Sequence, residues 1–157
     1  MSVHYSSSTE LWATPWALFR ELDGEFGFTV DVCAIAENAK CPRFFSPDED
    51  GLLQRWEGVC WMNPPYGKVI GGWMAKARDE AACGATVVCL VPARTDTAWW
   101  HDLVWDAAKH RTREGVEVRF LKGRISFGGE RDGQRGHDAP FPSALVIYRP
   151  RPKAQAA

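Results

Sequence analysis

The stretch Trp61-Met62-Asn63-Pro64-Pro65-Tyr66-Gly67 constrains this chain more than any other. It follows a short apolar run, Gly58 to Trp61, and precedes a segment with helical character from Gly72 onward. Neither proline has an N–H to donate and each fixes its own φ, so a strand that reaches them must leave its sheet. Pro65 also holds Pro64 out of the helical region, which makes the turn stiff and extended. An Asn amide, free backbone carbonyls and a Tyr ring are thereby fixed at the carboxyl end of a strand, the edge where open α/β sheets bind ligands. Carbonyl acceptors there can hold the hydrogens of a flat NH2 group and draw its nitrogen lone pair out of conjugation. A Tyr can stack on the ring that carries that group. The arrangement suits attack by an exocyclic amine on an electrophile; the bland alternative is a rigid proline turn with no catalytic role.

The rest of the chain reads as elements around this turn. Thr14-Pro15 reads as a helix start, with Thr14 as N-cap and Pro15 at the first helical position. Trp16, Phe19, Leu22 and Phe26 then give a core-facing stripe. Phe28 to Ala34 is a strand that places Asp31 inside it or at its end, where a carboxylate needs a cation or backbone donors. No regular element is expected from Ile35 to Arg55, only turns near Asn38 and Ser46-Pro47. Its acidic cluster Asp48-Glu49-Asp50, beside Gly51, reads as solvated turn carboxylates as readily as a site.

Downstream, Gly58 to Met62 is a strand, Gly72 to Cys83 a helix, and Ala85 to Val91 a continuous β-branched run typical of a central strand buried on both faces. Thr95 is expected to cap a helix whose stripe is Trp100, Leu103, Val104, Ala107 and Ala108, with Trp99 and Trp105 off it. Val116 to Leu121 is a strand, followed by Lys122-Gly123-Arg124 and a short strand, Ile125 to Phe127. Residues 128–139 form a glycine-rich mobile loop, and Ala144 to Tyr148 closes the sheet. The pattern predicts an α/β fold with a mainly parallel sheet and antiparallel C-terminal strands. One domain over 11–149 is expected, with a disordered N-terminus (1–10) and a frayed tail (150–157).

Composition narrows the function classes. No run of about 18 apolar residues occurs and the N-terminus lacks an apolar signal core, so the expectation is no membrane span and a cytoplasmic protein. The five cysteines form no CxxC pair, which suits buried reduced thiols and points to no metal site. The net charge of −1 hides an asymmetry: residues 1–57 hold ten acidic and four basic side chains, and residues 109–135 hold eight basic and four acidic. An acidic half suits a cationic small ligand, and a basic segment suits phosphate.

Taken in order, six pieces resemble the small phage-type DNA N6-adenine methyltransferases, over Trp12 to Tyr148. They are Trp12-Ala13-Thr14-Pro15, then Asp31-Val32-Cys33-Ala34 with Asn38 to Cys41, Asp50-Gly51-Leu52, Asn63 to Gly67, Val91 to Asp96, and Lys122-Gly123-Arg124 with Phe127. The resemblance implies a compact class I (Rossmann-like) methyltransferase, S-adenosylmethionine as cofactor and adenine in DNA as substrate. On the cofactor side it implies that Thr14 and Pro15 meet the methionine end, with Trp12 also in the cofactor-binding set. Asp31, Cys33 and Ala34 would line the pocket, and Asp50, beside Gly51, would contact the cofactor's adenine amino group. Asn63, Pro64, Pro65 and Tyr66 match the target-amine site, and Phe127 the aromatic that flanks a flipped base. Arg94, Lys122 and Arg124 fall in the matching pieces on the substrate side.

The sequence departs from the wider pattern in three ways. No glycine-rich loop follows the first strand, since Ile35-Ala36-Glu37 stands there. The stretch 35–56 compresses the usual strand-helix-strand unit, so sheet strands two and three are reduced, and no separate target-recognition domain is present. The same turn also suits cytosine N4, an RNA adenine or a protein glutamine amide, and a non-catalytic nucleic-acid-binding module is the alternative of a different class.

Overall fold

The computed structural model describes residues 13–128 and 137–151. Trp12, the expected disordered segment 1–10, most of the expected loop 128–139 and most of the tail lie outside the described residues. In chain order the first elements are α1 (Trp16–Phe26), β1 (Val30–Asp31), a 3-10 turn (Gly51–Leu53), β2 (Val59–Met62), α2 (Ile70–Ala82), β3 (Thr86–Pro92) and α3 (Ala98–Leu103). Then follow β4 (Trp105–Asp106), β5 (Arg111–Thr112), β6 (Val116–Phe120), β7 (Ser126–Phe127), β8 (His137–Asp138) and β9 (Ser143–Tyr148).

The main sheet has five strands in the order β1-β2-β3-β9-β6. β1, β2 and β3 run parallel, and β9 pairs antiparallel with both β3 and β6. β6 therefore runs in the direction of the first three, and β9 is the antiparallel insert. Outside β1, Phe44 makes an isolated parallel bridge with Asp31. Its ladder is two bonds long, Asp31 N–H donating to the Arg43 carbonyl at 3.0 Å and Phe45 N–H to the Asp31 carbonyl at 2.9 Å. The compressed stretch 35–56 thus retains one bridge where a further strand would pair.

Strand periodicity sorts the core onto two faces. Trp61, Val88, Leu90, Leu145 and Ile147 face α1, where Phe19 and Leu22 cover them. Cys60, Met62, Val87, Cys89, Val91 and Val146 pack on the other side against Ile70, Trp73, Met74 and Ala77 of α2 and Trp100 of α3. Helices on both faces leave the sheet edges, not its faces, free for a site.

Local boundaries correct several expectations. Pro15, not Thr14, is the N-cap of α1, and no side chain caps that helix. β1 is two residues long because the backbone bends after Asp31, whose carboxylate gathers backbone donors from beyond the strand. α3 starts after Thr97 rather than Thr95 and ends at Leu103. Its expected continuation fails because Trp105-Asp106 pair with Arg111-Thr112 instead. Asp106 Oδ1 accepts from the N–H groups of Ala108 and Lys109, which holds that turn and leaves Ala107 and Ala108 exposed. Arg113 donates twice to the His101 carbonyl, at 3.0 and 2.6 Å, supplying a helix-end carbonyl with a partner in place of another helical turn. Trp99 and Trp105 lie half-buried against the core.

All five cysteines are free thiols; Cys33, Cys41, Cys60 and Cys89 are buried and Cys83 is exposed. Burial pushes the Cys41 and Cys60 thiols up to about 12, so neither supplies a thiolate. Among the described residues no helix is long and apolar enough to cross a membrane, and no His/Cys/Asp/Glu group could hold a metal ion.

Candidate active site

The parallel strands β1, β2, β3 and β6 all end on one edge of the sheet. Val32 to Ala34, Asn63, Ala93-Arg94 and Leu121 to Arg124 emerge there, and antiparallel β9 begins there after Phe141-Pro142. Pieces far apart in sequence are gathered on this edge by topology alone.

At its centre is Asn63, half-buried, with both following prolines buried beneath it. Its Nδ2 donates to Thr14 Oγ1 at 3.0 Å, and its Oδ1 accepts from the Tyr66 hydroxyl at 3.0 Å. That hydroxyl also lies 3.3 Å from the Leu90 carbonyl on β3. Burial pushes the Tyr66 phenol up, so it stays protonated and able to donate.

On the β1 side, Asp31 is 2% exposed. Its Oδ1 accepts from Cys33 N–H at 3.2 Å and its Oδ2 from Lys40 N–H at 3.0 Å. These are backbone donors, as a buried strand-end carboxylate requires. Desolvation nevertheless dominates and pushes the carboxyl up to about 7, against the lowering effect of those two bonds and of the Lys40 charge. Ala13, Thr14, Asp31, Cys33, Asn38, Lys40, Trp61 and Asn63 line a narrow crevice with about 10 Å³ of free space, room for one water-sized sphere. Cys33 and Ala34 are both buried, and only Cys33 of the two lines the crevice.

Asp50 and Gly51 approach β1 from the far side. A Cβ on Gly51 would sit 2.2 Å from the Val32 carbonyl and 3.1 Å from the Trp73 ring. Asp50 has φ +53°, uncommon for a residue with a Cβ, and its carboxylate accepts from Leu52 N–H at 3.1 Å. Trp56 Nε1 donates to the Gly51 carbonyl at 2.8 Å, which anchors the turn to the core.

The aromatic side of the edge differs from expectation in detail. Tyr66 meets Phe141 edge-on, with centroids 5.5 Å apart at 81°. Phe127 is fully buried in the α1-side core, so it offers no open ring face here, although Gly128 N–H donates to the Ala13 carbonyl at 3.1 Å and ties β7 beside Thr14. Arg94 is exposed and stands 5.6 Å from the Phe141 ring, and Lys122 and Arg124 are exposed on the same edge. Phe141 and Lys40 were not singled out from the sequence. Phe141 did carry a signal, an aromatic between two prolines at the start of a strand. Lys40, whose Nζ lies 4.2 Å over the Trp16 ring while its N–H holds Asp31, carried only its place within the matching piece Asn38 to Cys41.

Comparison with known proteins bears on the family of the whole chain. Residues 2–156 match the family described as DNA N-6-adenine-methyltransferase (Dam). A DNA N-6-adenine-methyltransferase of Haemophilus phage HP1 is 30% identical over 149 residues, covering 92% of this chain and 82% of that protein. Another so named, from Escherichia phage T1, is 33% identical over 104 residues, covering 64% of this chain and 43% of its own. With nearly its whole length matched, this chain belongs to the DNA N-6-adenine-methyltransferase family.

Proposed function

We propose that this chain transfers a methyl group from S-adenosylmethionine to N6 of adenine in DNA, at the sheet edge centred on Asn63. The observation that carries the reading is the Asn63 amide, held at the end of β2 between Thr14 and Tyr66 in a chain of this family. The fold supports it. The chain passes from β1 outward to the Phe44 bridge and returns to β2 on the other side of β1. That reversal makes the β1 end a topological switch point, where doubly wound sheets bind ligands, and supports a class I, Rossmann-like assignment with reduced second and third strands.

The donor set fits the cofactor's charge. The buried carboxylate of Asp31 suits the cofactor's sulfonium and α-amino group. Thr14, Asp31 and Cys33 share the lining of the crevice, and with Thr14 among them the methionine end is the part of the cofactor it favours. Asp50, outside that lining, would meet the adenine amino group. When bound, the cofactor supplies an electrophilic methyl group.

The chain's own residues do the rest. Adenine is turned out of the duplex, since stacking hides N6, at a cost of a few kcal/mol. The Tyr66 ring offsets part of that cost by stacking. Phe127, buried in the free protein, would need its cover displaced to serve as a second wall. Asn63 Oδ1 and the Pro64 carbonyl accept the two N6 hydrogens, which turns the lone pair toward the methyl group. The N6–CH3 bond forms as the S–CH3 bond breaks, and the surplus N6 proton then leaves to solvent, so no strong general base is needed. Alignment supplies much of the rate. The exposed cations Arg94, Lys122 and Arg124 suit DNA phosphates beside the aromatic cluster.

The test is methyl-labelled S-adenosylmethionine offered with DNA, RNA and protein, followed by nucleoside analysis. Label in N6-methyladenine from DNA is expected. Label in N4-methylcytosine, in RNA or in protein would replace the substrate assignment, and no label with any acceptor would favour a binding module.

A further inference from the structure

We propose that Thr14 is a positioning residue for methyl transfer, its hydroxyl holding the plane of the Asn63 amide while Oδ1 changes partners. The inference deepens the function proposed above and rests on that reading of Asn63. An Asn χ2 is a broad, roughly two-fold torsion, so the amide has no strong preference of its own for one plane. An acceptor for a reacting amine must nevertheless stay in one plane, because alignment errors of an ångström cost rate steeply.

Thr14 is built to supply that hold. It is 2% exposed, its side chain is stiff at χ1, and its Oγ1 lies 3.0 Å from Asn63 Nδ2. The segment that carries it is fixed on both sides. Pro15 follows as the N-cap of α1, with its carbonyl accepting from Phe19 N–H at 3.1 Å. Ala13 precedes it, with its carbonyl accepting from Gly128 N–H at 3.1 Å. A hydroxyl best suited to cap a helix is instead spent on a side chain 49 positions away.

The other end of the amide is held differently. Tyr66 has one hydroxyl proton, and Asn63 Oδ1 at 3.0 Å and the Leu90 carbonyl at 3.3 Å are both acceptors within its reach. When an amine arrives, the phenol proton can turn to Leu90 and release Oδ1 without loss of a hydrogen bond. The bond from Nδ2 to Thr14 engages the opposite atom of the amide from the one that changes partners, and by persisting it would keep the amide in its plane through the exchange. Thr14 thereby couples the cofactor side of the crevice to the amine side.

The test compares Thr14→Val, which removes the hydroxyl at nearly constant shape, with Thr14→Ser, which keeps it; Thr14→Ala is a second hydroxyl deletion should the valine variant not fold. Single-turnover methylation of DNA is measured at saturating S-adenosylmethionine, with cofactor affinity measured separately by calorimetry. The deletion is expected to slow the rate at saturating cofactor by about 10- to 100-fold, over and above any change in cofactor affinity, and serine to restore most of it. A wild-type rate in the deletion variants overturns the proposal. So does weakened cofactor binding with the saturated rate intact, which would make Thr14 a cofactor contact only, or equal impairment of the valine and serine variants. Asn63→Ala run in parallel separates the two readings. If it is inactive while Thr14→Val is fully active, only the role of Thr14 falls; if it too is fully active, the reading of Asn63 falls with it.

Discussion

The hydroxyl of Tyr66 lies 3.0 Å from Oδ1 of Asn63 and so bonds within the same stiff turn, three residues on. Reaching on to the Leu90 carbonyl at 3.3 Å, it also links the ends of β2 and β3. The turn therefore comes with its acceptor already oriented, rather than acquiring an orientation when substrate arrives.

Asn63→Ala removes one of the two acceptors for the amine and leaves the crevice lining otherwise intact. Methyl transfer to DNA is expected to fall by at least about 100-fold, as for loss of a preorganised polar group at a reacting centre, with cofactor affinity largely kept. Labelled-methyl incorporation and calorimetry measure the two quantities. Full activity on DNA would exclude the mechanism.

Tyr66 separates its two roles by substitution. Tyr66→Phe keeps the ring and loses a hydroxyl bonded to Asn63 and Leu90, at about 1 kcal/mol of folding stability. Tyr66→Ala also loses the stacking surface, worth roughly 1–3 kcal/mol per base, and should bind a substrate with an extrahelical adenine far more weakly than the phenylalanine variant does. Equal DNA affinities for the two variants would remove stacking from the account.

Asp31 predicts a pH dependence of defined sign. Burial raises its carboxyl to about 7 in the folded chain, from an ordinary 3.8. The folded state then holds the proton more tightly than the unfolded state, so this contribution to stability is full below pH 3.8 and is lost as pH rises through about 7. Denaturant unfolding of the free protein should show this contribution falling between pH 3.8 and about 7 and levelling off above, and Asp31→Asn should flatten it. With a cation bound beside the carboxylate the sign reverses: cofactor affinity should rise over the same range, with proton release visible as buffer-dependent binding enthalpy.

Gly51→Ala tests the contact between the Asp50 turn and β1. Its Cβ would be placed 2.2 Å from the Val32 carbonyl, a backbone atom with nowhere cheap to go. A loss of about 1–3 kcal/mol is expected, as for overpacking, together with weaker cofactor binding as Asp50 is displaced. Unchanged melting and affinity would mean that the turn does not rest on β1 in solution.

Ser143→Ala is expected to go the other way. Among the described residues, the Ser143 hydroxyl is the one buried side-chain polar atom without a hydrogen-bond partner, at the start of β9 opposite Pro92. Removing an unpaired buried hydroxyl should leave stability unchanged or raise it by up to about 1 kcal/mol in a thermal or denaturant melt. A clear destabilisation would show that the hydroxyl is satisfied in solution.

The parts of the fold that were legible in the sequence are those governed by short-range chemistry. The two prolines end β2 wherever the chain goes next, and the β-branched run of β3 reads as a doubly buried strand without reference to its neighbours. What was misread depends on partners remote in sequence. Thr14 has the ideal side chain for a helix cap, and nothing local reveals that its hydroxyl goes to Asn63. The stripe running to Ala108 is sound helical periodicity, overridden by pairing of Trp105-Asp106 with Arg111-Thr112. The Phe44 bridge is a single contact, too short to leave any alternation. The candidate site follows the same division: its amine half is one contiguous motif, whereas its cofactor half is assembled from Thr14, Asp31, Lys40 and Asp50 across a compressed and irregular stretch.

The distribution of thiols makes the protein unusually convenient to instrument. Four cysteines are enclosed, two of them with thiols pushed up to about 12, while Cys83 is exposed at the C-cap of α2, just before β3 enters the sheet. That position lies at the amino end of the parallel strands, opposite the edge that carries Asn63. A thiol-reactive fluorophore should therefore couple at Cys83 in the native protein without mutagenesis, leaving the far edge clear to report DNA engagement by anisotropy.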